Sequence, residues 1–218
     1  MKQKLFFLLL FFVSLFSYGL VRASNLSLLG KIIYIDVGHG GKDPGAIVGD
    51  LKEADLNLEI SFKLQEMLEK EGAVVYLTRY GDYDLSSNNV SLRKRSDLTN
   101  RAKVINNSNC DMYISIHLNA DVSDSWKGAQ IFYNNKNKEN ERIAKILQNQ
   151  LKEDLNTNRE YKKLTNQYMY KLINVKGVLA EVGFITNPDE RYLLKQQDYQ
   201  YKIANSLTKG IIKCFSND

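Results

Sequence analysis

Short β-branched runs alternate with stretches of helical periodicity along most of this chain, and that alternation limits the fold to the α/β class. Residues 32–36 read as a first strand. A loop with five glycines follows (Gly38, Gly40, Gly41, Gly45, Gly49). Leu56, Ile60, Leu64, Met67 and Leu68 then fall on one helical face, which Gly72 stops. Further strands are expected over 73–77, from Met112 to His117, and over 130–133, 168–173 and 177–182. Helices are expected near 92–106, over 138–155 and over 199–215, and Asn187-Pro188-Asp189-Glu190 reads as another helix start. No internal repeat or linker interrupts the series. The expectation is a single α/β domain with a mostly parallel central sheet flanked by helices.

Residues 1–23 stand apart from that pattern. Lys2 and Lys4 precede an almost wholly apolar run from Leu5 to Val21, and Val21-Arg22-Ala23 offers a cleavage site before Ser24. This reads as a secretory signal peptide; the rival reading is an uncleaved membrane anchor. Residues 24–218 then form the catalytic domain. The leader holds Lys2, Lys4 and Arg22 and no acid, so without it the formal charge falls from +5 to +2. No basic stripe with interleaved aromatics remains, which excludes nucleic acid as a partner. Cys110 and Cys214 read as separately buried thiols, with a disulfide as the alternative.

The chain has two histidines, His39 and His117, each directly after a strand-like run. Residues at strand ends of an open α/β sheet lie at the rim where ligands bind, so both imidazoles can reach one metal. Glu53, just ahead of the first helix, supplies a third donor, and two His with one Glu form a known catalytic zinc set. Glu181 lies inside the apolar run Val178–Phe184, where a carboxylate is costly to bury. It is either a buried ion-pair partner or a general base beside the metal.

Four blocks carry a resemblance: Tyr34–Gly41, Lys52–Leu58, Ser115–Ala120 and Glu181–Asn187. In composition and order they are similar to the zinc-dependent N-acetylmuramoyl-L-alanine amidases of the Amidase_3 type, over about residues 31–215. The resemblance implies His39, Glu53 and His117 as zinc ligands and Glu181 as the catalytic carboxylate. It implies hydrolysis of the amide between the lactyl group of N-acetylmuramic acid and L-alanine in peptidoglycan. Asp124–Tyr133 and Asn156–Glu160 resemble the CwlD subgroup, spore-cortex amidases that prepare peptidoglycan for muramic-δ-lactam formation. The leader implies export to the cell envelope, and the subgroup likeness implies the cortex space of the developing spore. Two other classes stay open: a zinc deacetylase or peptidase on the same polymer, and a wall-binding module without turnover.

Val37 departs from the family, which usually has Pro there, and is expected to soften the His39 loop. The 63 residues from 118 to 180 offer no spare amphipathic segment to plug the metal site. Restraint is therefore expected from outside the chain, including a regulatory envelope partner at the His39 loop. The sequence leaves the oligomeric state open.

Overall fold

The computed structural model describes residues 4, 7–14, 26–88, 90–165 and 167–216. The proposed cleavage point before Ser24 lies outside the described residues, as does most of the leader; residues 7–14 are helical and exposed. Among the described residues no helix is long and apolar enough to cross a membrane.

In chain order the elements are β1 (Ile32–Val37), β2 (Ile47–Val48), β3 (Leu51–Lys52), α1 (Glu53–Lys70), β4 (Val74–Leu77), α2 (Arg93–Asn106) and β5 (Met112–Asn119). They continue as β6 (Gln130–Tyr133), α3 (Glu139–Leu155), β7 (Lys162–Lys163), α4 (Tyr168–Leu172), β8 (Gly177–Phe184), α5 (Pro188–Leu194) and α6 (Gln197–Ser216). Six strands form one sheet in the order β4–β1–β5–β8–β6–β7. The β4, β1, β5 and β8 pairings are parallel, β6 runs antiparallel to β8, and β7 is parallel to β6. The mostly parallel α/β expectation holds.

The strand period of two sorts the side chains onto two unlike faces. Ile33, Ile35 and Val37 of β1, Ile114 and Ile116 of β5, and Val178 and Ala180 of β8 join Leu64, Leu147 and Leu207 in the larger core, under α1, α3 and α6. The opposite face holds a smaller core under α2 and α4, with Tyr113 and Leu179 packed on Ala102, Ile105, Met169 and Tyr170. The α1 helix ends as the sequence predicts: the Gly72 amide donates to Glu69 O and Ala73 to Leu68 O, a Schellman closure. Asn187 caps α5 by accepting from the Glu190 amide, with Pro188 at the first helical position. Glu190 does not return the capping contact; its carboxylate accepts instead from the Phe184 and Gly128 amides, tying the end of β8 to the loop before β6.

One element differs in kind. The run 168–173, expected as a strand, is the helix α4. A five-residue apolar stretch carries too little periodicity to separate the two states, and the long-range contacts decide it. Met169 and Tyr170 bury against α2, and Asn106 of α2 closes the end by donating to Leu172 O and accepting from the Asn174 amide. The hairpin of β2 and β3 and the short β7 were too brief to read. Both cysteines are buried and neither is in a disulfide, as separately packed thiols.

Candidate metal centre

Asp36, Ser115, His117 and Glu181 alternate with residues of the larger core, so all four point to the face covered by α2 and α4. His117 and Glu181 are direct partners across the parallel β5–β8 ladder. A cavity of about 380 Å³ opens on that face, lined by His39, Glu53, His117 and Glu181, with α2 and α4 as its other walls.

His39, Glu53 and His117 converge there. Glu53 Oε1 lies 3.2 Å from His39 Nε2 and 3.1 Å from His117 Nδ1. Donors bonded to one zinc at about 2.0–2.1 Å in a tetrahedron stand about 3.3 Å apart, so this spacing fits a shared metal. Two imidazoles and one carboxylate are also a donor set that zinc accepts. The Glu53 carboxylate is fixed from behind: Oε1 accepts from the Leu118 amide at 3.1 Å and Oε2 from the Ala46 amide at 3.0 Å. Burial alone would raise its pKa, but the hydrogen bonds from His117 and His39 outweigh burial and hold it well below the carboxylate range. Glu53 is thus ionised, as a ligand must be. His39 Nδ1 faces Asp43 Oδ2 at 3.1 Å, which turns Nε2 toward the centre.

The glycine-rich loop makes room for these three side chains. A Cβ on Gly38 would lie 2.5 Å from two atoms of the His117 ring. A Cβ on Gly45, which has φ +69°, would lie 2.6 Å from Glu53 Oε2 and 2.8 Å from the His39 ring. Gly38→Ala must therefore push the His117 ring off its position. Zinc affinity is expected to fall by about 10- to 100-fold, the usual cost of disturbing a ligand's support; competition against a fluorescent chelator measures it. An unchanged affinity would show that the ring has room to spare.

Glu181 reaches the same cavity without touching the other three. Its Oε2 is enclosed and has no hydrogen-bond partner. Burial pushes the carboxyl up to about 7, with His117 pulling it down and Glu53 pushing it further up. The ion-pair reading of Glu181 finds no cationic partner among the described residues. A carboxyl that changes state near neutrality beside a metal-type donor set suits a proton acceptor.

The arginines beneath the site were missed. His39 sits in the left-handed region (φ 59°), which costs a non-glycine residue energy. Two buried guanidiniums hold it there. Arg79 donates to Val37 O, Gly38 O and Ala54 O; Arg101 donates to Val37 O and His39 O while pairing with Asp36 and Asp97. Val37 itself continues β1, fully buried, with its amide on Thr78 Oγ1. The loop's backbone carbonyls at Val37, Gly38 and His39 are thus each held by a guanidinium. Asp97 and Arg101 stand four apart on the face of Leu98 and Ala102, a sequence signal that could have revealed the buried pair.

The family model for N-acetylmuramoyl-L-alanine amidase matches residues 33–213. The chain is 44% identical to the germination-specific N-acetylmuramoyl-L-alanine amidase of Bacillus subtilis, over 96% of this chain and 93% of that one. It superposes on the CwlD amidase of Clostridioides difficile, solved in complex with the GerS lipoprotein, with a TM-score of 0.82 and 41% identity over 87% of this chain and all of that one. A second amidase, from Clostridium difficile 630, gives a TM-score of 0.76 at 28% identity, covering 86% and 98%.

Proposed function

The chain belongs to the N-acetylmuramoyl-L-alanine amidase family, and on that premise we propose that His39, Glu53 and His117 hold one zinc ion while Glu181 moves the protons of the reaction. The bond cleaved joins the lactyl group of N-acetylmuramic acid to L-alanine in peptidoglycan. The observation that carries the assignment is the 3.1–3.2 Å spacing of the two imidazoles about Glu53 Oε1, one ladder step from an unpartnered carboxyl.

Bound zinc supplies Lewis acidity, which polarises a carbonyl and makes water a better nucleophile. The rest falls to side chains. Glu181 takes the proton from the attacking water and passes it to the departing L-alanine amine. Asp43 keeps His39 Nε2 inward; Arg79 and Arg101 keep the loop carbonyls in place, so the donors need not reorganise when metal enters.

The relatives' names support a site of action and a partner as further parts of this reading. The chain acts on spore-cortex peptidoglycan, in the envelope outside the cytoplasmic membrane, after export through residues 1–23. A lipoprotein of the envelope binds it, as one binds the CwlD amidase.

Mass analysis of peptidoglycan digested by the zinc-loaded protein tests the reading: a free lactyl carboxylate and a new L-alanine amino terminus are expected. Loss of acetyl groups would make it a deacetylase, and unchanged muropeptides a binding module. The ligand assignment is checked separately by metal content. His117→Ala should lose most of its zinc, and a stoichiometric content would overturn the set.

A further inference from the structure

Lys94 lines the same cavity as the metal donors and Glu181, and among the described residues it is the cation of that lining that stays largely exposed. The other, Arg101, is fully buried and donates to Asp36, Asp97, Val37 O and His39 O. Lys94 Nζ is 70% exposed on its side chain and makes a single ion pair, 3.2 Å to Asp43 Oδ2. The remaining charged walls are carboxylates: Asp36, Asp43, Glu53 and Glu181. Besides the proposed metal, Lys94 is the exposed cationic side chain in this lining that an anionic group on the substrate can reach.

Its position suits one such group. Two hydrogen-bond lengths and one imidazole ring separate Lys94 Nζ from the inward nitrogen of His39, so the ammonium lies within roughly 9 Å of His39 Nε2. In a stem peptide the residue after L-alanine is a γ-linked glutamate with a free α-carboxylate, one Cα step of about 3.8 Å beyond the alanine. The α2 helix also begins Arg93-Lys94-Arg95 with no acid in its first turn, against the helix macrodipole. Arg93 is spent on Asp84 and Arg95 on the Tyr168 ring, so local structure accounts for those two cations and leaves Lys94.

We propose that Lys94 is a specificity-determining residue that receives the free α-carboxylate of the second stem-peptide residue, so that the enzyme distinguishes this acid from its amide. The proposal rests on the amidase reading above. On binding, the ammonium shares itself between Asp43 and the substrate; no covalent step is involved.

The test pairs two muropeptides that differ only in that group, carboxylate against carboxamide, with the zinc-loaded full chain. The parent should prefer the acid by about 3- to 10-fold in kcat/KM, carried by KM, the size of a partly exposed charge-assisted contact. Lys94→Gln should raise KM for the acid and leave the amide unchanged, erasing the preference; Lys94→Arg should keep it. Equal losses on both substrates would overturn the proposal, since they would mean that Lys94 acts only by positioning Asp43 and His39. A parent without preference would overturn it too. If neither muropeptide is cleaved by the parent, the amidase reading itself has failed, a result distinct from uniform cleavage of both.

Discussion

Glu181→Gln is expected to lower turnover by about 100- to 10,000-fold while leaving zinc content and fold intact, because general acid–base catalysis contributes on that scale. Glutamine keeps the shape of the side chain on β8 and removes the proton acceptor. Its effect on stability should run the other way. The Glu181 carboxyl is raised from its ordinary 4.5 to about 7 in the folded, metal-free chain. Between those values the native state holds a proton that the unfolded state has released, so stability falls as pH rises through this window, and the full penalty persists above it. Glutamine carries no such penalty. The metal-free variant should therefore melt above the metal-free parent at pH 8, while the zinc-loaded variant is inactive. Calorimetry and muropeptide mass analysis read the two halves. Near-normal turnover would assign the base to another group.

Arg101→Met should be the most destabilising change at the site. It leaves Asp36 and Asp97 buried without their cation and strips the carbonyls of Val37 and His39 of a donor. Removing one partner of a buried ion pair typically costs about 3–5 kcal/mol. Lysine is no substitute, because a single ammonium cannot serve four acceptors lying in different directions. Urea unfolding of the metal-free protein measures the loss, and a change below about 1 kcal/mol would mean that water replaces the guanidinium. Burial holds the Asp36 carboxyl up, but Arg101 and Ser115 outweigh it and keep its pKa low. The contribution of this pair is therefore present at neutral pH and is lost as acid protonates Asp36.

The sheet and its longer helices were legible from local signals: short β-branched and aromatic runs such as Ile32–Val37, and a 3.6-residue stripe in Leu56–Leu68. The gathering of His39, Glu53 and His117 was legible for a different reason. Two histidines in the whole chain, both after strands, leave few places for a metal to sit. Glu181 showed itself by its cost among apolar neighbours. What stayed hidden depends on contacts distant in sequence. The helical state of 168–172 is decided by Asn106 and the α2 face. The roles of Arg79 and Arg101 depend on carbonyls in β1 and the loop after it. The loop glycines could be counted, but that Gly38 and Gly45 make room for His117 and Glu53 follows only from the packed arrangement.

The order of the strands also bears on when the centre comes into being. β8 lies between β5 and β6, yet 63 residues intervene between His117 and Glu181. Closing so long a connection is a slow step in folding, and β5 has no second neighbour until β8 arrives. A nascent or unfolded chain therefore holds His39, Glu53, His117 and Glu181, the residues proposed for metal and proton transfer, as unrelated segments. The proton acceptor joins the His39, Glu53 and His117 cluster only when the last fifth of the polypeptide, residues 177–218, places its strand in the middle of the sheet. A chain clipped before residue 177 would keep His39, Glu53 and His117 and still be harmless.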